Sequence, residues 1–201
     1  MQRKLWEDEG TLDLQDASIT VHREYFPTLK ADAYLQELGE IRWQQNQIVV
    51  FGKKHFEPRE TAWYGDNGIS YTYSGLTHTA RPWIPILTEI RDCIAGTIHT
   101  SFNSVLLNRY RDGQDGVAWH ADDELELGEE PIIGSISLGQ TRCFQIRRKQ
   151  TSREVISLNL HHGDLVVMSG ETQKFWEHQI PKTTQQVGER INLTFRKILH
   201  V

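Results

Sequence analysis

The chain has 201 residues, enough to bury one substantial core and marginal for two. Its 38% hydrophobic and 24% charged residues are the balance of a soluble globular domain, and no apolar run nears the roughly 20 residues of a membrane span. The net charge of −5 argues against a general nucleic-acid coat protein, and the opening MQRKLWEDEG lacks the apolar core of a signal peptide. A cytoplasmic protein is expected, or a nuclear one if the source is eukaryotic. Cys93 and Cys143 are far apart and outside any CxxC, so free thiols are expected rather than a disulfide. Local charge is polarised: residues 142–153 hold five basic residues and no acid, and residues 122–130 hold six acids.

In chain order, residues 12–24 read as a short strand and an exposed lead-in. Leu29, Ala33, Leu35 and Leu38 keep helical spacing over residues 26–38, with Gly39 as C-cap. Residues 41–51, IRWQQNQIVVF, read as a strand ending at Gly52, and SYTY at 70–73 as another. Ile84, Leu87, Ile90 and Ile94 predict a helix over 82–98, with Pro82 in its first turn. From about residue 100 the pattern turns to strands, at 104–111, 132–138, 142–148, 155–160, 165–168 and 191–198. Gly139, Gly163 and Gly170 punctuate them as turn signals. No repeat or linker divides the chain, so one domain over residues 1–201 is expected. Its fold class would be α+β, mainly β: a barrel or jelly roll buttressed by the N-terminal helices.

The chemistry centres on NRYRDGQDGVAWHADD, residues 108–123, with its His-x-Asp pair His120 and Asp122. On a strand, alternate side chains point the same way. With the later His178, the pair would make the two-histidine, one-carboxylate face of a non-haem Fe(II) site, leaving positions open for cosubstrate and oxygen. A bare His-x-Asp is common by chance, so the surroundings must carry the reading. In the last strand, Ile191, Leu193 and Phe195 face one way, and Arg190, Asn192, Thr194 and Arg196 the other. An ordinary strand with a wet polar face explains this pattern. So does a pair of arginines, roughly 20 Å apart, bracketing a small dianion. His161-His162 precedes a Gly-Asp turn and reads as surface. Val50-Phe51-Gly52 reads either as a buried strand end or as an apolar wedge for a base stack. Lys53, Lys54 and Arg59 beside it suit phosphates. Tyr71 and Tyr73 read either as core or as one wall of a pocket.

NRYRDGQDGVAWHADDE, His178 and RINLTFR together resemble the AlkB family of Fe(II)- and 2-oxoglutarate-dependent nucleic-acid dealkylases. The likeness extends over FGKKHFEPR, WYGDNGISYTYSG and RPWIPIL, from about residue 50 to 198, and is greatest to the branch that repairs double-stranded DNA. It implies a double-stranded β-helix core. Residues 100–201 would form the catalytic barrel, and residues 1–99 the substrate-recognition part. It implies Fe(II), 2-oxoglutarate and O2, with His120, Asp122 and His178 as iron ligands. Asn108 and Tyr110 would hydrogen-bond the cosubstrate, and Arg190 would hold its distal carboxylate. Asn192, Thr194 and Arg196 would complete that side, Arg196 pairing with Asp123 or reaching the metal-proximal carboxylate. Val50, Phe51 and Gly52 would be a wedge, with Lys53 and Arg59 on phosphates and Arg147, Arg148 and Lys149 tracking the backbone. Tyr71 and Tyr73 would line the base pocket, Tyr73 stacking the flipped base, and Asp123 would sit beside that base. The implied reaction is oxidative demethylation of 1-methyladenine and 3-methylcytosine in DNA, releasing formaldehyde and succinate. The implied partner is alkylated duplex DNA, with single-stranded DNA or RNA as further candidates; no membrane and a monomeric state are expected. A lesion-binding module without turnover, and an oxygenase of protein or small molecules, are the rival functions.

Overall fold

The computed structural model describes residues 2–50, 52–73, 76–150 and 154–199, with the side chains of 2–5, 48–50, 71–73 and 76–78 excepted. The first half holds β1 (Gln2–Trp6), β2 (Gly10–Thr11), β3 (Ser18–His22), α1 (Thr28–Gly39), β4 (Gln47–Val50), β5 (Lys53–Phe56), β6 (Glu60–Gly65), β7 (Ser70–Tyr73), β8 (Leu76–Thr79), β9 (Arg81–Pro82) and α2 (Pro85–Ile98). The second holds β10 (Ser104–Tyr110), β11 (Val117–His120), β12 (Ile133–Gly139), β13 (Arg142–Arg148), β14 (Glu154–Leu160), β15 (Leu165–Ser169), a one-turn helix α3 (Thr172–Phe175), β16 (Trp176–Ile180) and β17 (Arg190–Arg196). No described helix is long and apolar enough to cross a membrane.

Two sheets carry the architecture. The larger runs β2-β3-β15-β12-β17-β10-β6-β9 and the smaller β1-β14-β13-β16-β11. Strand periodicity explains how they stack. Val105 and Leu107 of β10, Ile136 and Leu138 of β12, and Ile191, Leu193 and Phe195 of β17 share one face of the large sheet. They pack against Ala31, Tyr34 and Leu38 of α1 and Ile86, Leu87, Ile90 and Ile94 of α2. The opposite face of the large sheet gives Ile19, Val21, Tyr110, Ile133, Val166 and Met168. These meet Phe144, Ile146, Ile156, Leu158, Trp176 and Ile180 of the small sheet. The result is three layers: helices, large sheet, small sheet. This is the jelly roll buttressed by N-terminal helices.

Local expectations and structure part in three places. The second helix starts at Pro85, its N1 residue, and Pro82 instead pairs in β9 with Gly65. Ile84, held extended before a proline, is the N-cap rather than a helical residue. Gly39 is the last helical residue of α1, and the cap is Glu40 in a right-handed conformation, so no left-handed glycine ends that helix. Residues 41–46 are not strand apart from one bridge, Gln44 to Thr61. There Ile41 and Trp43 turn into the helix layer. The Gln45 amide donates to the Glu57 carbonyl and the Asn46 amide to Thr61 Oγ1, so side chains replace a ladder.

The glycine turn signals hold. Gly163 has φ +86°, and a Cβ there would lie 2.2 Å from the Phe26 carbonyl oxygen. Gly163→Ala is therefore expected to cost about 1–3 kcal/mol, a fall in Tm of several degrees. Gly170, also at positive φ but with open space where its Cβ would go, should tolerate alanine better. Thermal melts of the two variants check this; equal losses would contradict the steric account.

Candidate active site

β11 and β16 pair antiparallel at the edge of the small sheet, with His120 directly opposite His178. Their rings lie 4.3 Å apart between centroids. Asp122 is not on the strand. β11 ends at His120, and the chain leaves the sheet before Asp122. Two contacts therefore place the carboxylate instead of strand alternation. The Asp122 backbone N–H donates to Gln173 Oε1 at 2.9 Å, and Arg196 Nη2 pairs with Asp122 Oδ1. One ligand atom from each of His120, Asp122 and His178 lies within 4.8 Å of the others. Among the described residues, this is the one His/Cys/Asp/Glu cluster with metal-binding geometry.

Electrostatics prepares the three groups for a cation. His120 Nδ1 lies 2.8 Å from the Ala118 carbonyl oxygen. A carbonyl only accepts, so Nδ1 donates to it and Nε2 is the nitrogen left to face a metal. Burial, with His120 alongside, pushes the His178 imidazole down to about 3, so it is neutral at physiological pH. Burial works to raise the Asp122 carboxyl, but the Arg196 guanidinium beside it outweighs this and holds it below the usual carboxylate range. Asp122 Oδ2 is buried with no hydrogen-bond donor, 3.9 Å from His178 Nε2. An anionic oxygen left without a donor beside two imidazoles fits a divalent metal ion.

The polar face of β17 is not in water. It faces the small sheet, and every residue from Arg190 to Phe195 is buried. Across β10, Tyr110 stands opposite Arg190 and Asn108 opposite Asn192. Arg190 is 1% exposed. Its Nη2 donates to Ser137 Oγ at 2.9 Å, while Nε and Nη1 are buried without partners. Burial and the neighbouring Arg142 push this guanidinium down to about 10, which still leaves it charged. Arg190 and Arg142 lie 5.3 and 5.6 Å from the Tyr110 ring centroid. Arg142 itself donates to the carbonyls of Asp112, Asp115 and Pro181, bracing the loops beside the site. No described carboxylate pairs with Arg190. A buried, uncompensated guanidinium is costly unless an anion joins it, and a dicarboxylate cosubstrate fits that need.

The remaining predicted residues divide. Arg196 pairs with Asp122, the third ligand candidate, and not with Asp123. Asp123 is exposed and pairs with Lys149 at 2.8 Å. Asn192 spends its amide N–H groups on Ser135 Oγ and the Ile136 carbonyl, and its oxygen accepts from Thr194, so it braces the sheet rather than offering a free group. β4 and β5 form a separate hairpin whose β5 strand is exposed throughout. Gly52 turns it at φ +76° and Lys53 is exposed. Val50 lies in β4 opposite Lys53. Phe51 lies outside the described residues, as do the side chains of Tyr71 and Tyr73, which sit on β7. Arg59 Nη2 is paired with Glu57 Oε1 at 2.9 Å at the base of the hairpin. Arg147, Arg148 and Lys149 are likewise paired, with Glu177, Asp16 and Asp123. His161-His162 lies away from the triad, His161 exposed and His162 accepting from the Gly139 N–H. Sequence reasoning missed Ser137, Arg142 and Gln173, none of which sits in a motif.

Comparison with known proteins agrees with this geometry. Residues 18–196 match the family model described as the 2OG-Fe(II) oxygenase superfamily. The chain is 43% identical over 195 residues to the DNA oxidative demethylase ALKBH2 of Homo sapiens, covering 92% of this chain and 74% of that protein. It is 39% identical over 179 residues to the alpha-ketoglutarate-dependent dioxygenase alkB homolog 3 of Mus musculus, covering 84% of this chain and 62% of that one. Among solved structures, OsALKBH1 superposes with a TM-score of 0.65 at 15% identity, covering 93% of this chain and 99% of the other, a likeness of fold. The chain belongs to the 2OG-Fe(II) oxygenase superfamily and, within it, to the AlkB family beside the ALKBH2 branch, whose members use Fe(II), 2-oxoglutarate and O2.

Proposed function

We propose that this dioxygenase removes N-methyl groups from bases in DNA, 1-methyladenine and 3-methylcytosine foremost, and so repairs them directly. The observation that carries the reading is the meeting of two unsatisfied demands between the sheets: a His-Asp-His cluster with a donorless carboxylate oxygen, and a buried guanidinium without a counterion among the described residues. The names of the relatives support DNA as the substrate. Bound Fe(II), with 2-oxoglutarate and O2, supplies oxidation of the N-methyl carbon, and the products are succinate, CO2, formaldehyde and the restored base.

His120, Asp122 and His178 would hold the iron. Arg190 would bind the distal carboxylate of the cosubstrate, with Asn108, Tyr110 and Thr194 around it, and Arg196 would orient Asp122. Asp123 would meet the positive charge of the methylated base, and Tyr71 and Tyr73 would line the base pocket, Tyr73 stacking the base once it leaves the duplex. Residues 100–201 would be the catalytic barrel and 1–99 the substrate-recognition part of one domain acting as a monomer, in the cytoplasm or a eukaryotic nucleus. A succinate-release assay tests the reading. Methylated oligonucleotides should stimulate release well above unmethylated ones. Binding without release would instead indicate a lesion-binding module, and stimulation only by protein or small molecules a different oxygenase.

The duplex preference is proposed through Phe51. A base that leaves a duplex forfeits a few kcal/mol of stacking and pairing, which a wedge filling the gap would offset. Phe51→Ala should lower repair of duplex DNA much more than of single strands, with little change in Tm. If Phe51 is a core residue, truncation should cost roughly 3–5 kcal/mol and harm both substrates alike. An unchanged duplex-to-single-strand ratio with a large melting drop would sink the wedge.

A further inference from the structure

We infer that Gln173 is a positioning residue of the metal centre, fixing the main chain of Asp122 relative to the strand that carries His178. The inference rests on the triad as the iron site. Gln173 is 1% exposed, on the one-turn helix that leads directly into β16. Its Oε1 accepts the Asp122 N–H at 2.9 Å, both atoms buried. That N–H needs a partner from elsewhere because β11 stops at His120 and the ladder to β16 stops with it. The carbonyl of Gln173 accepts Lys149 Nζ at 2.8 Å, and the same ammonium pairs with Asp123, so a second link joins this turn to the segment after the ligand.

The turn itself is anchored independently. Thr172 Oγ1 accepts the Ser18 N–H and donates to the Ser169 carbonyl. Two contacts thus divide the placing of Asp122: Arg196 holds the carboxylate and Gln173 holds the backbone behind it. Without Gln173 Oε1, the buried amide loses its acceptor and the 121–123 segment loses its tie to the His178 strand. Carboxylate and imidazoles would then have to be brought together by the metal itself, weakening binding. Removing such a supporting contact typically costs about 10–100-fold in metal affinity.

The test is Mn(II) titration of the full chain without cosubstrate or DNA, with thermal melts beside it. Gln173→Met, of similar size but without an acceptor, should weaken Mn(II) binding by about 10–100-fold. Thr172→Val loosens the same turn but leaves the Asp122 amide bonded, and should bind Mn(II) as wild type. Gln173→Asn keeps the amide but withdraws it by one methylene; it carries the same expectation as Gln173→Met and serves if that variant does not fold. Unchanged affinity in a folded Gln173 variant overturns the inference. So does an equal loss in Thr172→Val, which would mark a general role of the turn. His120→Ala separates this from the underlying site: if it binds Mn(II) like wild type, the triad reading falls, whereas its loss beside a wild-type Gln173→Met rejects the positioning role alone.

Discussion

His178→Ala is expected to reduce turnover at least about a hundredfold, with metal affinity falling in step, and His120→Ala and Asp122→Ala likewise. Supporting groups around a metal already cost 10–100-fold when removed, and a ligand should cost more. The site has no described substitute: no other His, Cys, Asp or Glu cluster has metal-binding geometry among the described residues. His178 gives the cleanest reading. Its imidazole is kept neutral by burial, it forms no ion pair within hydrogen-bond distance, and its truncation leaves the Asp122–Arg196 pair intact. Turnover and metal content measured on the same preparations check this. Activity kept with full metal content in any of the three would reject the assignment.

Arg190→Ala is expected to raise the 2-oxoglutarate requirement by about ten- to a hundredfold, while the DNA requirement changes little. The size follows from losing hydrogen bonds to a charged group, about 1.5–3 kcal/mol. Arg190→Lys should recover part of it, since an ammonium restores the charge but not the planar fork. A second readout separates binding from folding. In wild type with Mn(II), 2-oxoglutarate should raise Tm, because ligand bound only to the folded state stabilises it; in Arg190→Ala the same concentration should not. Equal effects on cosubstrate and DNA requirements would mean that Arg190 is structural.

What the sequence made legible follows from how local each signal is. The apolar period of α2 and the alternation of β10 and of β17 depend on one element each, and all three elements formed. The polar side of β17 was ambiguous because alternation shows only that two faces differ. Whether Arg190 and Asn192 meet water or a second sheet depends on β13, β14 and β16 folding over them. The placement of Asp122 was legible as a residue and not as geometry: the spacing suggested strand alternation, but the strand ends at His120, and Gln173, fifty-one residues away, sets the backbone. The same limit hid the Arg59–Glu57 pair and the neutralised run Arg147, Arg148 and Lys149, since a basic stretch shows its charge and not its partners.

The central claim is that one site couples 2-oxoglutarate turnover to removal of a methyl group from DNA. The most direct measurement is formaldehyde release and base restoration on a duplex carrying a single 1-methyladenine, with Fe(II) and 2-oxoglutarate each omitted in turn. The account predicts restored adenine and formaldehyde in equal amounts in the complete mixture, and neither product in either omission. Succinate formed without base restoration, or restoration that persists without 2-oxoglutarate, would contradict it.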